Sequence, residues 1–298
     1  MHRKIAALLF SLIFIHSVYS QSKTSMEQLH HQIDSVLHEQ QGSFAVAFKD
    51  LQNGDTLIMN GNESFHAAST MKTPVMIEVF NQAKQGRFSL DDSLVLRNEF
   101  KSIVDGTTFF LDSTDDSEKE LYLHTGKKIT IRNLVFQMIT VSSNLATNMI
   151  MELVGGENVT ATAHKMGAVN MHVLRGVEDN KAFERGLNNT TTALDLMLLM
   201  EKIARGEAVS KKASKEMVSI LLRQQFNEII PARLPSGVKV AHKTGSITGV
   251  EHDAGIVFLP DGRKYVLVLL SKDLKKKEDG ITGMAAISEM ICHYMMQL

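Results

Sequence analysis

Residues 69–80 read Ser-Thr-Met-Lys-Thr-Pro-Val-Met-Ile-Glu-Val-Phe. Pro74 suits the first turn of a helix, where its missing N–H is not needed, and an apolar run follows it. We predict a helix that Ser69 opens and that runs to about Ala83. Because residues three apart share a helix face, Lys72 can act on the Ser69 hydroxyl as a base, or hold a water and a carboxylate that do so.

A second Ser-x-x-Lys pattern shows that the spacing alone is a weak signal. Ser236-Gly237-Val238-Lys239 enters a predicted strand. Residues three apart in a strand point to opposite faces, so these two side chains cannot act together. We attribute this match to chance, and Ser69 remains the candidate nucleophile.

A short polar segment, Ser142-Ser143-Asn144, follows a predicted helix from Ile129 to Thr140. Two side chains two residues apart in a short loop can face one cleft. Ser142 could relay a proton to a leaving nitrogen, and Asn144 could hold a substrate amide. Helix caps use the same residue types, so this segment is also weak on its own.

The third candidate segment is Lys243-Thr244-Gly245-Ser246, at the end of a predicted strand. The lysine and the threonine hydroxyl would bind a substrate carboxylate. The glycine would let a ligand lie along the strand edge, and the next N–H, that of Ser246, could serve an oxyanion.

Strand patterns cluster at both ends of the chain, and helical patterns lie between them. The predicted fold class is therefore α/β of the α+β kind: an antiparallel sheet flanked by helices, with an inserted all-helical subdomain. The sheet part would comprise about 21–65 and 235–298, and the helical part about 66–234. The active site would lie in the cleft between them. The polar stretch from Asp112 to Glu120 is predicted to be an exposed loop.

A chain of 298 residues with 44% hydrophobic content is long enough to form one large domain or two intimate subdomains, and we predict a single domain. The predicted strands are Phe44–Phe48, Thr56–Met59, Val238–His242, Ala254–Leu259 and Tyr265–Leu270. The predicted helices, besides the one at Ser69, are Met26–His38, Ile129–Thr140, Leu145–Val154, Thr192–Ala204 and Ile281–Met296.

The composition limits the function classes. The chain has 298 residues, 44% hydrophobic and 22% charged, which excludes an intrinsically disordered chain. The formal net charge of −1 lacks the basic excess of a nucleic-acid binder, so no nucleic-acid partner is expected. The 12 histidines form no metal-binding spacing, so we expect no metal and no cofactor. The single cysteine, Cys292, is expected to be a buried structural thiol.

The N-terminus has the layout of a secretory signal peptide, residues 1–20. A short basic region precedes the apolar stretch Ile5 to Val18, and Ser20 ends a small-residue cleavage site. The stretch is shorter than the roughly 20 apolar residues of a membrane span, so an uncleaved anchor is the weaker alternative. We expect a mature domain, residues 21–298, that is periplasmic or secreted, monomeric and free of the membrane.

The three segments occur in order, each in a suitable local structure, and together they resemble class A β-lactamases and penicillin-binding proteins. The resemblance covers nearly all of the mature chain. It implies the β-lactamase/DD-peptidase-like fold and a serine β-lactamase that hydrolyses a small-molecule β-lactam through an acyl-enzyme. The roles it implies are nucleophile for Ser69, base for Lys72, proton relay for Ser142, amide binding for Asn144, carboxylate binding for Lys243 and Thr244, and oxyanion N–H groups from Ser69 and Ser246.

The chain departs from the family pattern at two points. The middle motif usually has aspartate where this chain has Ser143, a position that supports the loop. The family also has a glutamate followed four residues later by asparagine, as E-x-x-L-N, which orients the deacylating water. Glu178 has the usual separation from Ser142 but the wrong neighbours. Glu184 opens a matching Glu-Arg-Gly-Leu-Asn but lies unusually close to Thr190. Glu178 is favoured, Glu184 is the alternative, and a third possibility is that neither is catalytic.

Three functions are compatible with these residues. The leading hypothesis is a β-lactamase with turnover. The second is a DD-peptidase-like or esterase-like hydrolase, and the third is a penicillin-binding sensor that acylates and stalls.

Overall fold

The computed structural model describes residues 24–298. The predicted signal peptide, residues 1–20, lies outside the described residues. Within residues 24–298, no helix combines the length and the apolar character that crossing a membrane requires.

The described residues form eleven strands and ten helices. The strands are β1 (Ser43–Asp50), β2 (Thr56–Met59), β3 (Phe65–His66), β4 (Ser93–Val95), β5 (Phe100–Lys101), β6 (Thr108–Phe109), β7 (Lys128–Thr130), β8 (Thr190–Thr191), β9 (Lys239–Ile247), β10 (Val250–Phe258) and β11 (Lys264–Lys272). The helices are α1 (Met26–His38), α2 (Lys72–Lys84), α3 (Glu120–Leu123), α4 (Ile131–Thr140), α5 (Asn144–Val154), α6 (Gly156–Lys165), α7 (Asn180–Glu184), α8 (Ala193–Arg205), α9 (Lys211–Leu221) and α10 (Lys277–Gln297), and a 3-10 turn, Ala68–Met71, leads into α2.

A five-stranded sheet joins the two ends of the chain. Its strand order is β2-β1-β11-β10-β9, and every neighbouring pair is antiparallel. The N-terminal strand β1 lies against the C-terminal strand β11, with Phe48 opposite Leu267. This confirms the predicted fold class, a sheet assembled from both ends of the chain with helices on it.

Both faces of the sheet are covered, which explains why β11 is apolar at successive positions. Side chains alternate between the two faces of a strand. Val266 and Val268 pack in the cluster that contains residues of α2 and α8, whereas Leu267 and Leu269 pack in the cluster that contains residues of α1 and α10. Burial of each such side chain contributes roughly 1.5–3 kcal/mol.

Helix α2 runs through the centre of the helical region and is buried from Lys72 to Phe80 without a break. Helices α4, α5, α6 and α9 all pack against it. A helix that is buried all round has no face in contact with water, so its polar side chains cannot hydrogen-bond to solvent. Lys72 must therefore find its hydrogen-bond partners inside the protein.

Two predicted boundaries are wrong in their detail. Ser69 does not open the α-helix but lies in the 3-10 turn before it, since α2 begins at Lys72. The segment Lys243–Ser246 does not follow the strand but lies inside β9, because its pairing with β10 continues through Lys243 opposite Ala254 and Ser246 opposite Glu251.

The predicted exposed loop from Asp112 to Glu120 is wrong at one position. Most of this stretch is exposed, but Asp116 is only 2% exposed and points into the protein. Helices α6 and α9 were not predicted. Cys292 is buried, as expected.

Candidate active site

Ser69 lies in the 3-10 turn between β3 and α2. The residue before it, Ala68, has a φ of 44°, in the left-handed region. That conformation costs a non-glycine residue on the order of 1–3 kcal/mol, and such strain concentrates at functional sites. The Ala68 N–H donates to His66 Nδ1 at 3.0 Å and helps to fix the turn. Ser69 lines a cleft of about 490 Å³.

Lys72 is fully buried and uses all its donors on one neighbouring loop. Its Nζ donates to Ser142 O at 2.7 Å, to Ser142 Oγ at 3.1 Å and to Asn144 Oδ1 at 3.1 Å. An ammonium has three N–H donors and no acceptor. After losing one proton, the amine gains a lone pair that can accept the proton of a hydroxyl.

Burial lowers the pKa of Lys72 to about 7, although the nearby carboxylates of Asp116 and Glu178 oppose the effect. Desolvation disfavours the charged form of an amine, and an opposite charge favours it. A substantial fraction of Lys72 is therefore neutral near pH 7. A neutral amine at the start of α2, three residues after Ser69, is able to act as a general base.

Ser142 is held between two lysines from different elements. Its backbone has a φ of 59°. Besides Lys72, the buried Lys243 on β9 donates to Ser142 Oγ at 3.1 Å and to Thr244 O at 2.9 Å. Burial is the main cause that lowers the pKa of Lys243 well below its usual value, and Lys72 lowers it further while Asp253 opposes the shift. The Ser142 hydroxyl can thus pass a proton between the cleft and either amine.

Gly245 allows β9 to approach the turn that holds Ser69. A Cβ atom added at Gly245 would lie 3.1 Å from the backbone nitrogens of both Ser69 and Thr70. Such a distance is tighter than van der Waals contact, so any side chain would push the strand from the turn. Thr244 and Ser246, on either side, line the same cleft as Ser69.

Glu178 lies against the same cluster. Asn144 Nδ2 donates to Glu178 Oε1 at 2.7 Å, so one amide connects the carboxylate to Lys72. Glu178 has a φ of 61°, and the preceding residue, Val177, is clamped by Asn148, whose Oδ1 accepts its N–H at 2.7 Å. Burial is the main cause that raises the pKa of the Glu178 carboxyl, and the Asn144 hydrogen bond opposes it.

Glu184 is not brought to the cleft. It ends α7 and is exposed, and within residues 24–298 its side chain makes no hydrogen bond or ion pair. Asn188, the last residue of the E-x-x-L-N match, instead accepts a hydrogen bond from Arg175 Nη2 at 3.1 Å. The matching pentapeptide therefore supports the loop, whereas the residue four positions after Glu178 is the buried Ala182.

The sequence analysis missed Asp116, which lies next to this cluster. Its Oδ2 accepts the backbone N–H groups of Asn144 and Leu145 at 2.8 and 2.9 Å. The missing family aspartate at Ser143 was the one signal that could have prompted a search for another carboxylate. Among the described residues, no group of three or more His, Cys, Asp or Glu side chains could hold a metal ion.

The arrangement brings together, around one cleft, the parts that acyl transfer needs. A buried amine, a hydroxyl relay and a carboxylate are linked by hydrogen bonds through Ser142 and Asn144. The Ser69 hydroxyl, on the strained turn, lines the same cleft as Ser142 and Asn144. This is the combination of nucleophile, base and proton relay that nucleophilic catalysis requires.

Known proteins share this fold and much of this chain. A family model described as "Beta-lactamase enzyme family" matches residues 28–295. The β-lactamase CARB-3 of Pseudomonas aeruginosa is 27% identical over 263 residues, 84% of this chain and 86% of that protein.

Solved structures agree with that match. The β-lactamase of Sphaerobacter thermophilus DSM 20745 has a TM-score of 0.76 at 25% identity and covers 89% of this chain and 97% of its own. The structure of PBP-A has a TM-score of 0.79 at 28% identity, covering 92% of this chain and 97% of its own. A mutant of PBP-A forms an acyl-enzyme complex with penicillin G.

Proposed function

The chain belongs to the β-lactamase enzyme family, and we propose that it is a class A serine β-lactamase that hydrolyses β-lactam amides through an acyl-enzyme on Ser69. The observation that carries this proposal is the state of Lys72. A fully buried lysine with a pKa of about 7 lies one helical turn after the serine and is hydrogen-bonded to the proton relay.

In the acylation step, neutral Lys72 accepts the proton of the Ser69 hydroxyl while Ser69 Oγ attacks the lactam carbonyl carbon. The carbon–nitrogen bond of the ring then breaks. The leaving nitrogen takes the proton of the Ser142 hydroxyl, which Lys72 replaces through the 3.1 Å hydrogen bond. The backbone N–H groups of Ser69 and Ser246 stabilise the oxyanion.

Substrate binding is assigned to β9. Lys243 and Thr244 bind the substrate carboxylate. Since burial and Lys72 disfavour the charged form of Lys243, an incoming anion would raise the pKa of Lys243 and so stabilise its ammonium. Asn144 would offer its amide to the acyl side chain.

In the deacylation step, Glu178 removes a proton from the water whose oxygen attacks the ester carbonyl carbon. The bond between that carbon and Ser69 Oγ then breaks, and Ser69 Oγ takes up the proton that Glu178 held. A carboxylate with a raised pKa is a stronger base, which suits this role. Glu178 lacks the asparagine that follows the glutamate by four residues in the family pattern, because Ala182 occupies that position.

That departure favours one second candidate, a penicillin-binding protein that acylates readily and deacylates slowly, whether as a DD-peptidase-like hydrolase or as a sensor. A mutant of PBP-A, a similar structure, forms an acyl-enzyme complex with penicillin G. Nitrocefin turnover by the purified protein separates the two functions. Steady hydrolysis over many enzyme equivalents supports the β-lactamase, and a stoichiometric burst that stops supports the second candidate.

We also propose that the mature protein, residues 21–298, is exported to the periplasm or medium as a monomer without cofactor. The basis for the proposed export is the signal-like layout of residues 1–20. N-terminal sequencing of exported protein should begin at Gln21, and an intact Met1 on cytoplasmic protein would exclude export.

A further inference from the structure

Asp116 is a buried carboxylate at the start of the helix that carries Asn144. Its Oδ2 accepts the N–H groups of Asn144 and Leu145, the first two residues of α5. The helix N-cap, Ser143, accepts the N–H of the third residue, Ala146, at 3.2 Å. The first three N–H groups of α5 are thus satisfied jointly, two by Asp116 and one by Ser143.

Further donors fix the Asp116 carboxylate in this orientation. The Tyr122 hydroxyl donates to Oδ2 at 2.9 Å, and the Glu118 N–H donates to Oδ1 at 3.0 Å. The Ser143 hydroxyl lies 3.4 Å from Oδ2. These donors and the N-terminus of α5 together hold the Asp116 carboxylate in one orientation.

We propose that Asp116 is a positioning residue that supplies, from a distant segment, the carboxylate that orients the Ser142–Asn144 loop. It takes the place of the aspartate that Ser143 replaces in the family pattern. The inference rests on the proposed function, because the loop it orients is the one assigned to proton relay and substrate binding. Asp116 touches no substrate and acts through Asn144 and Ser143.

The position of Asp116 also has an electrostatic consequence. The groups that face Lys72 are Ser142 and Asn144 of the loop, Lys243 of β9, and the carboxylates of Asp116 and Glu178. The negative charge of Asp116 raises the pKa of Lys72, in opposition to burial.

The same charge acts on Glu178, which faces Asn144, Asp115 and Asp116. Both aspartates raise the pKa of Glu178. Loss of the Asp116 charge should therefore lower the pKa of both proposed bases, Lys72 and Glu178, and the two effects have the same direction.

The first test is Asp116→Asn. An amide keeps the size of the side chain but is a weaker acceptor and carries no charge. The plateau value of kcat/KM for nitrocefin should fall on the order of 10²-fold, as expected for displaced catalytic groups. The acid limb of the kcat/KM profile should move to lower pH, a shift that a purely structural role would not produce. Glu120→Gln, which removes an exposed charge from the same segment, should change neither value. An unchanged acid limb in Asp116→Asn would overturn the inference.

The second test moves the carboxylate. Ser143→Asp alone places a second carboxylate next to Asp116, in a buried site where two like charges repel. The double variant Asp116→Asn with Ser143→Asp has one carboxylate again, now at the N-cap. Its thermal midpoint and kcat/KM should both exceed those of each single variant. Independent, additive losses would overturn the inference.

The two tests also separate this inference from the proposed function. The thermal midpoints of wild type, the two single variants and the double variant are measured without substrate. They test the role of Asp116 even if Asp116→Asn folds poorly. Wild-type protein that forms no acyl-enzyme with penicillin would remove the proposed function. Additive thermal losses in an enzyme that does hydrolyse nitrocefin would remove only the role of Asp116.

Discussion

Asn144 Nδ2 donates a hydrogen bond to Glu178 Oε1 at 2.7 Å. The oxygen of the same amide accepts from Lys72 Nζ at 3.1 Å. One side chain thereby joins the amine proposed for acylation to the carboxylate proposed for deacylation. The charge of Glu178 raises the pKa of Lys72, in opposition to the larger effect of burial.

Ser69→Ala should form no covalent adduct with any β-lactam while it keeps the fold. The variant removes the proposed nucleophile and only one oxygen atom. Intact-mass spectrometry after incubation with penicillin measures the adduct, and circular dichroism checks the fold. An adduct of the expected mass on the variant would assign the nucleophile to another residue, with Ser236 as the one to examine first.

The rate of acylation should depend on the protonation of Lys72. Burial lowers the pKa of Lys72 to about 7, and only the neutral amine can accept the proton of Ser69. As pH rises through about 7, the neutral fraction grows, so kcat/KM should rise and then level off. The measurement is kcat/KM for a chromogenic cephalosporin across a range of pH.

Lys72→Arg is the matched variant for that profile. Arginine keeps the positive charge but does not lose its proton in proteins. We expect acylation to fall by about 10²–10⁴-fold, as for loss of a general base. A variant that acylates at the normal rate with the same pH dependence would exclude Lys72 as the base.

Gly245→Ala should impair catalysis more than folding. The added Cβ would lie 3.1 Å from the backbone nitrogens of Ser69 and Thr70 and would displace the proposed oxyanion site. Loss of one oxyanion donor costs about 10²–10³-fold in kcat. Gly262→Ala is the control: its φ of 91° makes the substitution strained, but no atom lies within 4 Å of the added Cβ. That control should lower the thermal midpoint and leave kcat unchanged.

The antiparallel sheet and the three candidate segments could be identified because their signals are local. Alternating or continuous apolar residues indicate strands, and Pro74 indicates the helix start next to Lys72. The end of β9 could not be predicted in this way. Lys243-Thr244-Gly245-Ser246 has little strand propensity, and only its pairing with β10 extends the strand through it.

The other features that the sequence could not predict depend on contacts between residues far apart in the chain. Asp116 lies in a polar stretch that resembles a solvated loop, and its function depends on Asn144, 28 residues further along the chain. The choice between Glu178 and Glu184 stays a prediction. The structure brings Glu178 to Asn144 and leaves Glu184 exposed, whereas the pentapeptide pattern alone favours Glu184. Separation from Ser142 favours Glu178, the glutamate that contacts Asn144.

Glu178→Gln should acylate near the normal rate and then accumulate acyl-enzyme. The variant keeps the size of the side chain but cannot take a proton from water, and a missing general base costs about 10²–10⁴-fold in its step. Glu184→Gln is the matched control, because it makes the same chemical change on an exposed side chain in the same loop.

The most direct measurement of the central claim is pre-steady-state kinetics of the wild-type protein and both glutamine variants with one chromogenic cephalosporin. We expect steady turnover from wild type and Glu184→Gln, and a stoichiometric burst followed by little turnover from Glu178→Gln. A burst from Glu184→Gln with steady turnover from Glu178→Gln would contradict the assignment of Glu178. Steady turnover from both variants would place deacylation on another group, with Lys72 the first to test.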